Sequence, residues 1–82
     1  MPMSDRLDRM RRNPAADWTI GDVEALCREH GVDCSPPRSG SSHYKVKHPA
    51  VPAILTVPFA RPLKPIYIRR LFAFIDAVER SR

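Results

Sequence analysis

Ser39-Gly40-Ser41-Ser42-His43-Tyr44-Lys45-Val46-Lys47-His48-Pro49 opens on small residues and continues as a short alternating segment. The small residues predict a tight connection. The alternation predicts a strand over about 42–47, because side chains on a strand point to opposite faces with period two. His43, Lys45 and Lys47 then share one face, and Tyr44 and Val46 share the other. A strand of this pattern belongs to a sheet with one covered and one open face. Tyr44 and Val46 should meet the helices, leaving an imidazole and two ammonium groups outside.

The flanking segments extend this reading. Val32–Arg38 reads as a first strand, with Pro36-Pro37 marking it as an edge. His48-Pro49-Ala50-Val51-Pro52 reads as a turn and Ala53–Val57 as a third strand, rich in β-favouring Ile54, Leu55 and Val57 and stopped by Pro58. Upstream, Trp18-Thr19-Ile20-Gly21-Asp22 starts a helix, with Thr19 as cap and Asp22 near the positive end of the dipole. Val23, Leu26, Cys27 and His30 make its inner face, and Gly31 ends it in the left-handed region. His30 reads as a last-turn residue. After the rigid loop Arg61-Pro62-Leu63-Lys64-Pro65, a final helix runs from about Pro65 to Arg80 on the stripe Ile68, Leu71, Phe72, Ile75, Val78. Phe74 falls off that stripe and is expected to wrap the core edge rather than contact a partner. Residues 4–13 read as a weak helix with only Leu7 and Met10 apolar, stopped at Asn13-Pro14 and expected to fray.

The expected architecture is therefore α+β: helix, three antiparallel strands, helix, with both helices on one sheet face. Residues 1–17 form an N-terminal arm, as a short helix or a disordered segment, ahead of one domain over 18–82. The chain of 82 residues allows no more than one core.

Charge is unevenly spread. Residues 1–37 carry five Lys or Arg and seven Asp or Glu, whereas residues 38–75 carry seven Lys or Arg and no acid. The net charge of +5 thus arises in the part of the chain that brackets His43, which points to a polyanionic partner. Two cysteines, Cys27 and Cys34, suggest two buried free thiols rather than a disulfide scaffold, and their spacing with His30 and His43 matches no familiar zinc site. No metal or cofactor is expected. No apolar run approaches the roughly 20 residues of a membrane span, and Met1–Arg12 holds no apolar core and carries Asp5 and Asp8, unlike a secretory signal. A cytoplasmic protein without a membrane partner is inferred.

Several pieces together resemble the HicA family, small toxins of bacterial type II toxin–antitoxin systems. They are Trp18-Thr19-Ile20, Ser42-His43-Tyr44-Lys45-Val46-Lys47-His48-Pro49, Leu55-Thr56-Val57-Pro58 and Arg61-Pro62-Leu63-Lys64-Pro65-Ile66-Tyr67-Ile68-Arg69, in order over about residues 18–76. The resemblance implies an α-β-β-β-α fold like a double-stranded-RNA-binding domain, an endoribonuclease activity on mRNA, and neutralisation by a HicB-type antitoxin protein. It places His43 at the histidine of a Gly-Ser-His motif. Ser41 stands where the family pattern has glycine, with Gly40 one step earlier.

His43 is then the candidate general acid or base for 2′-hydroxyl attack without a metal. Lys45 and Lys47 would steady the phosphate. Lys64, Arg69 and Arg70 would follow the RNA backbone if the start of the last helix lies beside the sheet. Ser42, next to the histidine in the motif, completes the RNA-binding set. His48 is expected in a turn role on the other face. Two other classes compete with this reading: a non-catalytic RNA-binding module, and a protein-interaction domain that docks an acidic partner on the basic face.

Overall fold

The structure is a computed structural model that describes residues 5–38, 42–60 and 62–81. Its elements are α1 (Asp5–Arg12), α2 (Ile20–Glu29), β1 (Asp33–Ser35), β2 (His43–His48), β3 (Val51–Pro58) and α3 (Pro65–Arg80). The strands form one antiparallel sheet in the order β1-β2-β3. The fold is α+β with a three-stranded antiparallel sheet and three helices.

Central β2 reads as the alternation predicts. Val46 is fully buried, opposite Cys34 on β1 and Leu55 on β3, while His43, Lys45 and Lys47 are exposed. Val46 and Val57 join residues of all three helices in a single apolar cluster. No polar or charged residue among those described is buried. Apolar contact therefore holds the domain, at about 1.5–3 kcal/mol for each large side chain taken fully out of water.

Local chemistry sets the helix ends. At α2 the Thr19 hydroxyl accepts the Asp22 N–H, and the Asp22 carboxylate accepts the Thr19 N–H at 2.9 Å, a reciprocal capping box. At its other end Gly31 takes φ 69°, the Gly31 N–H donates to the Arg28 carbonyl and the Val32 N–H donates to the Cys27 carbonyl at 2.8 Å. This pair of bonds is a Schellman cap. It turns the chain back so that buried Val32 seals the helix end and β1 follows directly. α3 begins on Pro65, whose missing N–H costs nothing in the first turn. Phe74 is 7% exposed and belongs to the core, as expected.

Three expectations change. β1 is shorter than Val32–Arg38, because Val32 is used in the α2 cap and Pro36-Pro37 lack the N–H groups that a ladder needs. β3 is longer than Ala53–Val57 and includes Pro52 and Pro58. As an edge strand it tolerates a proline whose ring faces away from the ladder. The tight turn is only Pro49-Ala50, with no residue at positive φ, so it is not one of the primed hairpin turns. The register shifts beside it: Val46 opposes Leu55, but His48 opposes Val51.

The third change concerns α1, which is not a frayed arm. Leu7 and Met10 lie in the common core, Met10 completely buried. Arg6 reaches Asp22 at 3.2 Å and Glu29 at 3.3 Å on α2, and Arg11 pairs with Asp76 on α3 while its guanidinium lies 5.2 Å from the Phe72 ring centre. Sparse apolar positions concealed this, since two residues suffice when both fill a gap between larger helices. The connection to α2 is fastened by Trp18, whose indole N–H donates to the Asn13 carbonyl at 2.7 Å and whose carbonyl accepts the Leu63 N–H at 2.9 Å.

Met10→Ala should therefore cost about 2–5 kcal/mol in denaturant unfolding, as for a buried core side chain. A value under about 0.5 kcal/mol, normal for a surface position, would mean that α1 does not pack.

Candidate functional site

β2 carries the candidate residues, and its pleat decides where they go. Residues at i, i+2 and i+4 on a strand share a face at about 7 Å spacing, so His43, Lys45 and Lys47 form a row about 13 Å long. The face is the one turned away from Val46 and the helices. Across from them stand Pro58 beside His43, Thr56 and Ser35 beside Lys45, and Asp33 beside Lys47.

The row forms one wall of a concavity of about 250 Å³. The other wall is the last residue of β1, Ser35, and the chain after it, Pro36, Pro37 and Arg38. The two prolines favour an extended backbone in that segment and end the ladder. Arg38 brings a guanidinium to the same hollow as the His43 imidazole. Arg38 and Lys45 have no ion pair among the described residues, whereas Lys47 faces Asp33 at 4.0 Å with both side chains about half or more exposed. Such a pair is worth little in water and leaves the hollow cationic.

A second, shallower depression of about 410 Å³ adjoins it at the hairpin end and shares Lys47. Pro52, Val51 and Ile54 give it an apolar floor, and Ile54 is 55% exposed. This surface follows from the register shift next to Lys47.

The other predicted residues lie elsewhere. Ser42 is exposed one position before His43 and does not line the hollow; its carbonyl accepts the Phe59 N–H at 3.0 Å. Lys64 caps α3, and Arg69 and Arg70 are exposed on its first turns, with Arg70 5.7 Å from the Tyr67 ring centre. None of these three lines the concavity. α3 packs on the covered face of the sheet through Ile68, Leu71 and Ile75, so its start lies around the sheet end from His43. His48 takes the expected turn role: its Nδ1 accepts the Ala50 N–H at 3.0 Å. His30 is the C-cap of α2, with Nδ1 3.0 Å from a Glu79 carboxylate oxygen on α3. Ser39, Gly40 and Ser41, which include the motif's glycine position, and Arg61 lie outside the described residues.

Sequence reading missed Arg38 and Asp33 as members of this face. The signal was present in both cases. Arg38 heads the acid-free run, and antiparallel pairing with β2 brings Asp33 opposite Lys47. What was missing was the true length of β1, which sets that register.

Chemically, the hollow offers one imidazole, which can accept or donate a proton, and three cationic groups for an anionic oxygen. Comparison with protein-family models, with curated proteins and with solved structures finds no match for this chain.

Arg38→Ala and Lys45→Ala should each weaken binding of a single-stranded oligonucleotide. Each should also make the plot of log K against log salt shallower, by about 0.7 for every phosphate no longer neutralised. Arg80→Ala, at the far end of α3, should leave the slope unchanged.

Proposed function

We propose that this protein is an endoribonuclease of the HicA kind. It acts on mRNA in the cytoplasm, as the toxin of a type II pair held inactive by a HicB-type antitoxin. The helix, three-strand, helix order from α2 to α3 corresponds in this reading to a double-stranded-RNA-binding-domain-like arrangement, to which α1 is added. The observation that carries the proposal is the concavity in which His43 meets Arg38, Lys45 and Lys47 on an exposed sheet face.

In this reading a phosphodiester lies in the hollow with its non-bridging oxygens toward Arg38 and Lys45. His43 takes the proton from the 2′-hydroxyl as the 2′-oxygen attacks phosphorus, or gives one to the departing 5′-oxygen. The cations stabilise the extra negative charge of the phosphorane, where they contribute more than in the ground state. The products are a 2′,3′-cyclic phosphate and a free 5′-hydroxyl. Lys64, Arg69 and Arg70 act at a distance, holding RNA that has passed around the end of the sheet by Ser42 and Phe59. They supply affinity, not chemistry. Among the described residues no base-reading pocket adjoins His43, so sequence preference is loose.

One observation favours a second reading. Among the described residues His43 is the only imidazole or carboxylate lining the hollow, and Asp33 lies about four residues along the sheet. A non-catalytic RNA-binding module would need no more than that.

Purified wild type and His43→Ala distinguish the two readings. His43 is exposed, so its removal should change stability by no more than about 0.5 kcal/mol. Cleavage of single-stranded RNA should fall by about 10²–10⁴-fold, with the cyclic-phosphate end lost and binding retained. Induced wild type should arrest growth and the mutant should not. Binding without cleavage by either protein would leave the module reading. Arg69→Glu with Arg70→Glu should raise KM while leaving the single-turnover rate at saturation unchanged.

A further inference from the structure

Phe59 leaves β3 directly after Pro58, the residue that stands opposite His43. Its N–H donates to the Ser42 carbonyl at 3.0 Å, which holds it one residue beyond the His43–Pro58 pair, at the end of the sheet. Side chains alternate along a strand, so Phe59 falls on the side of Val57 and Tyr44. The Phe59 and Tyr44 rings are 6.4 Å apart and tilted by 35°. The chain on both sides is anchored, with Val57 and Leu63 each 1% exposed. Phe59 does not follow them inward. It is 53% exposed, the only exposed aromatic residue among those described.

A single exposed apolar side chain needs no explanation by itself. The setting of this one does. On the neighbouring open face lies the hollow of Arg38, His43, Lys45 and Lys47. The chain that leaves Phe59 leads to Lys64 at the start of α3, where Arg69 and Arg70 are exposed. Residues 38–75 carry no acid, so no carboxylate of that segment opposes an anion here. An aromatic face thus stands in a cationic surface, one pairing step from the candidate imidazole.

We propose that Phe59 is a base-stacking subsite for single-stranded nucleic acid. Phosphates of the strand are met by the cations, and one base lies on the ring that Tyr44 supports from one side. The inference rests on the reading of this surface as an RNA surface, but not on cleavage. Every base has a π face, so an aromatic platform among cations holds an unpaired strand without reading its sequence. A base inside a duplex already has both faces covered by its neighbours, so the subsite selects unpaired nucleotides. It also sets the path of the strand. A base held at Phe59 fixes the nucleotide that turns around the sheet end, and the adjoining backbone is then delivered to His43.

The test uses a short 2′-O-methyl RNA without self-complementarity, which 2′-hydroxyl attack cannot cleave, and inorganic polyphosphate, a polyanion without bases. Binding of each to wild type, Phe59→Ala, Phe59→Leu and Phe59→Trp is measured by titration calorimetry over a range of salt. Phe59→Ala and Phe59→Leu should each bind the RNA about 5–150-fold more weakly, the loss of one base–aromatic stack. Their salt slope should match wild type, because no phosphate contact is removed. Their affinity for polyphosphate should be unchanged, and Phe59→Trp should bind the RNA at least as tightly as wild type. Phe59→Leu keeps an apolar side chain against Tyr44, so it separates loss of the stack from loss of packing. The proposal is overturned if wild type and Phe59→Leu bind the RNA equally, in which case the RNA surface stands without this subsite. It is overturned as well if Phe59→Leu loses both ligands together, or if Phe59→Trp fails to retain RNA binding. Wild type that binds polyphosphate but not the RNA overturns the RNA reading and the subsite with it.

Discussion

The burial of Val46 at the middle of β2 is the constraint on which the rest depends. Among the described strands only β2 is paired on both sides, so its orientation is shared by the whole sheet. Once Val46 turns toward the helices, with Val57 beside it, the pleat leaves Lys45, Lys47 and His43 no position but the open face. A slip of one residue would bury two lysines and an imidazole in an apolar core, at a cost far above what a domain of this size can absorb. The cationic row and the apolar core are therefore two consequences of one choice of register.

The core itself is small, and the elements that complete it come from outside the helix-sheet-helix unit. Met10 from α1 and Leu63 from the loop before α3 are both almost fully shielded. Trp18 joins these two contributions through one indole bond and one backbone bond. Arg6 and Arg11 then tie α1 to acids on α2 and α3, in positions only partly exposed. Small domains bury a smaller fraction of their surface, so an extra helix that adds two core side chains is a substantial share of the total. The segregation of acids away from residues 38–75 gains a structural meaning here. Asp22, Glu29 and Asp76 engage arginines of α1, which leaves the cations of β2 and of the Pro36–Arg38 segment to face solvent.

The basic character of residues 38–75 is divided in space. Arg38, Lys45 and Lys47 share the hollow with His43, whereas Lys64, Arg69 and Arg70 stand at the start of α3, which packs on the other face of the sheet. A linear polyanion is long enough to touch both zones, but only the first can act on a bond held beside the imidazole. The β-hairpin contributes differently. Its proline turn shifts the register next to Lys47, and the exposed Ile54 gives one end of the cationic row an apolar floor.

Much of this was determined by the sequence alone. Alternation in His43–Lys47, the Thr19 cap with Asp22, left-handed Gly31 and the Pro65 start of α3 are local signals, each decided by a few neighbouring residues. They set the strands, the helix ends and the face on which His43 stands. What only the tertiary structure decided involves residues distant along the chain. Leu7 and Met10 pattern a helix too weakly to announce that it packs, because their burial is created by α2 and α3. Arg38 and Asp33 join the cationic face through the length and register of β1. Periodicity reports which side of an element is apolar; which distant group lies against the other side depends on pairing and packing, which no local pattern encodes.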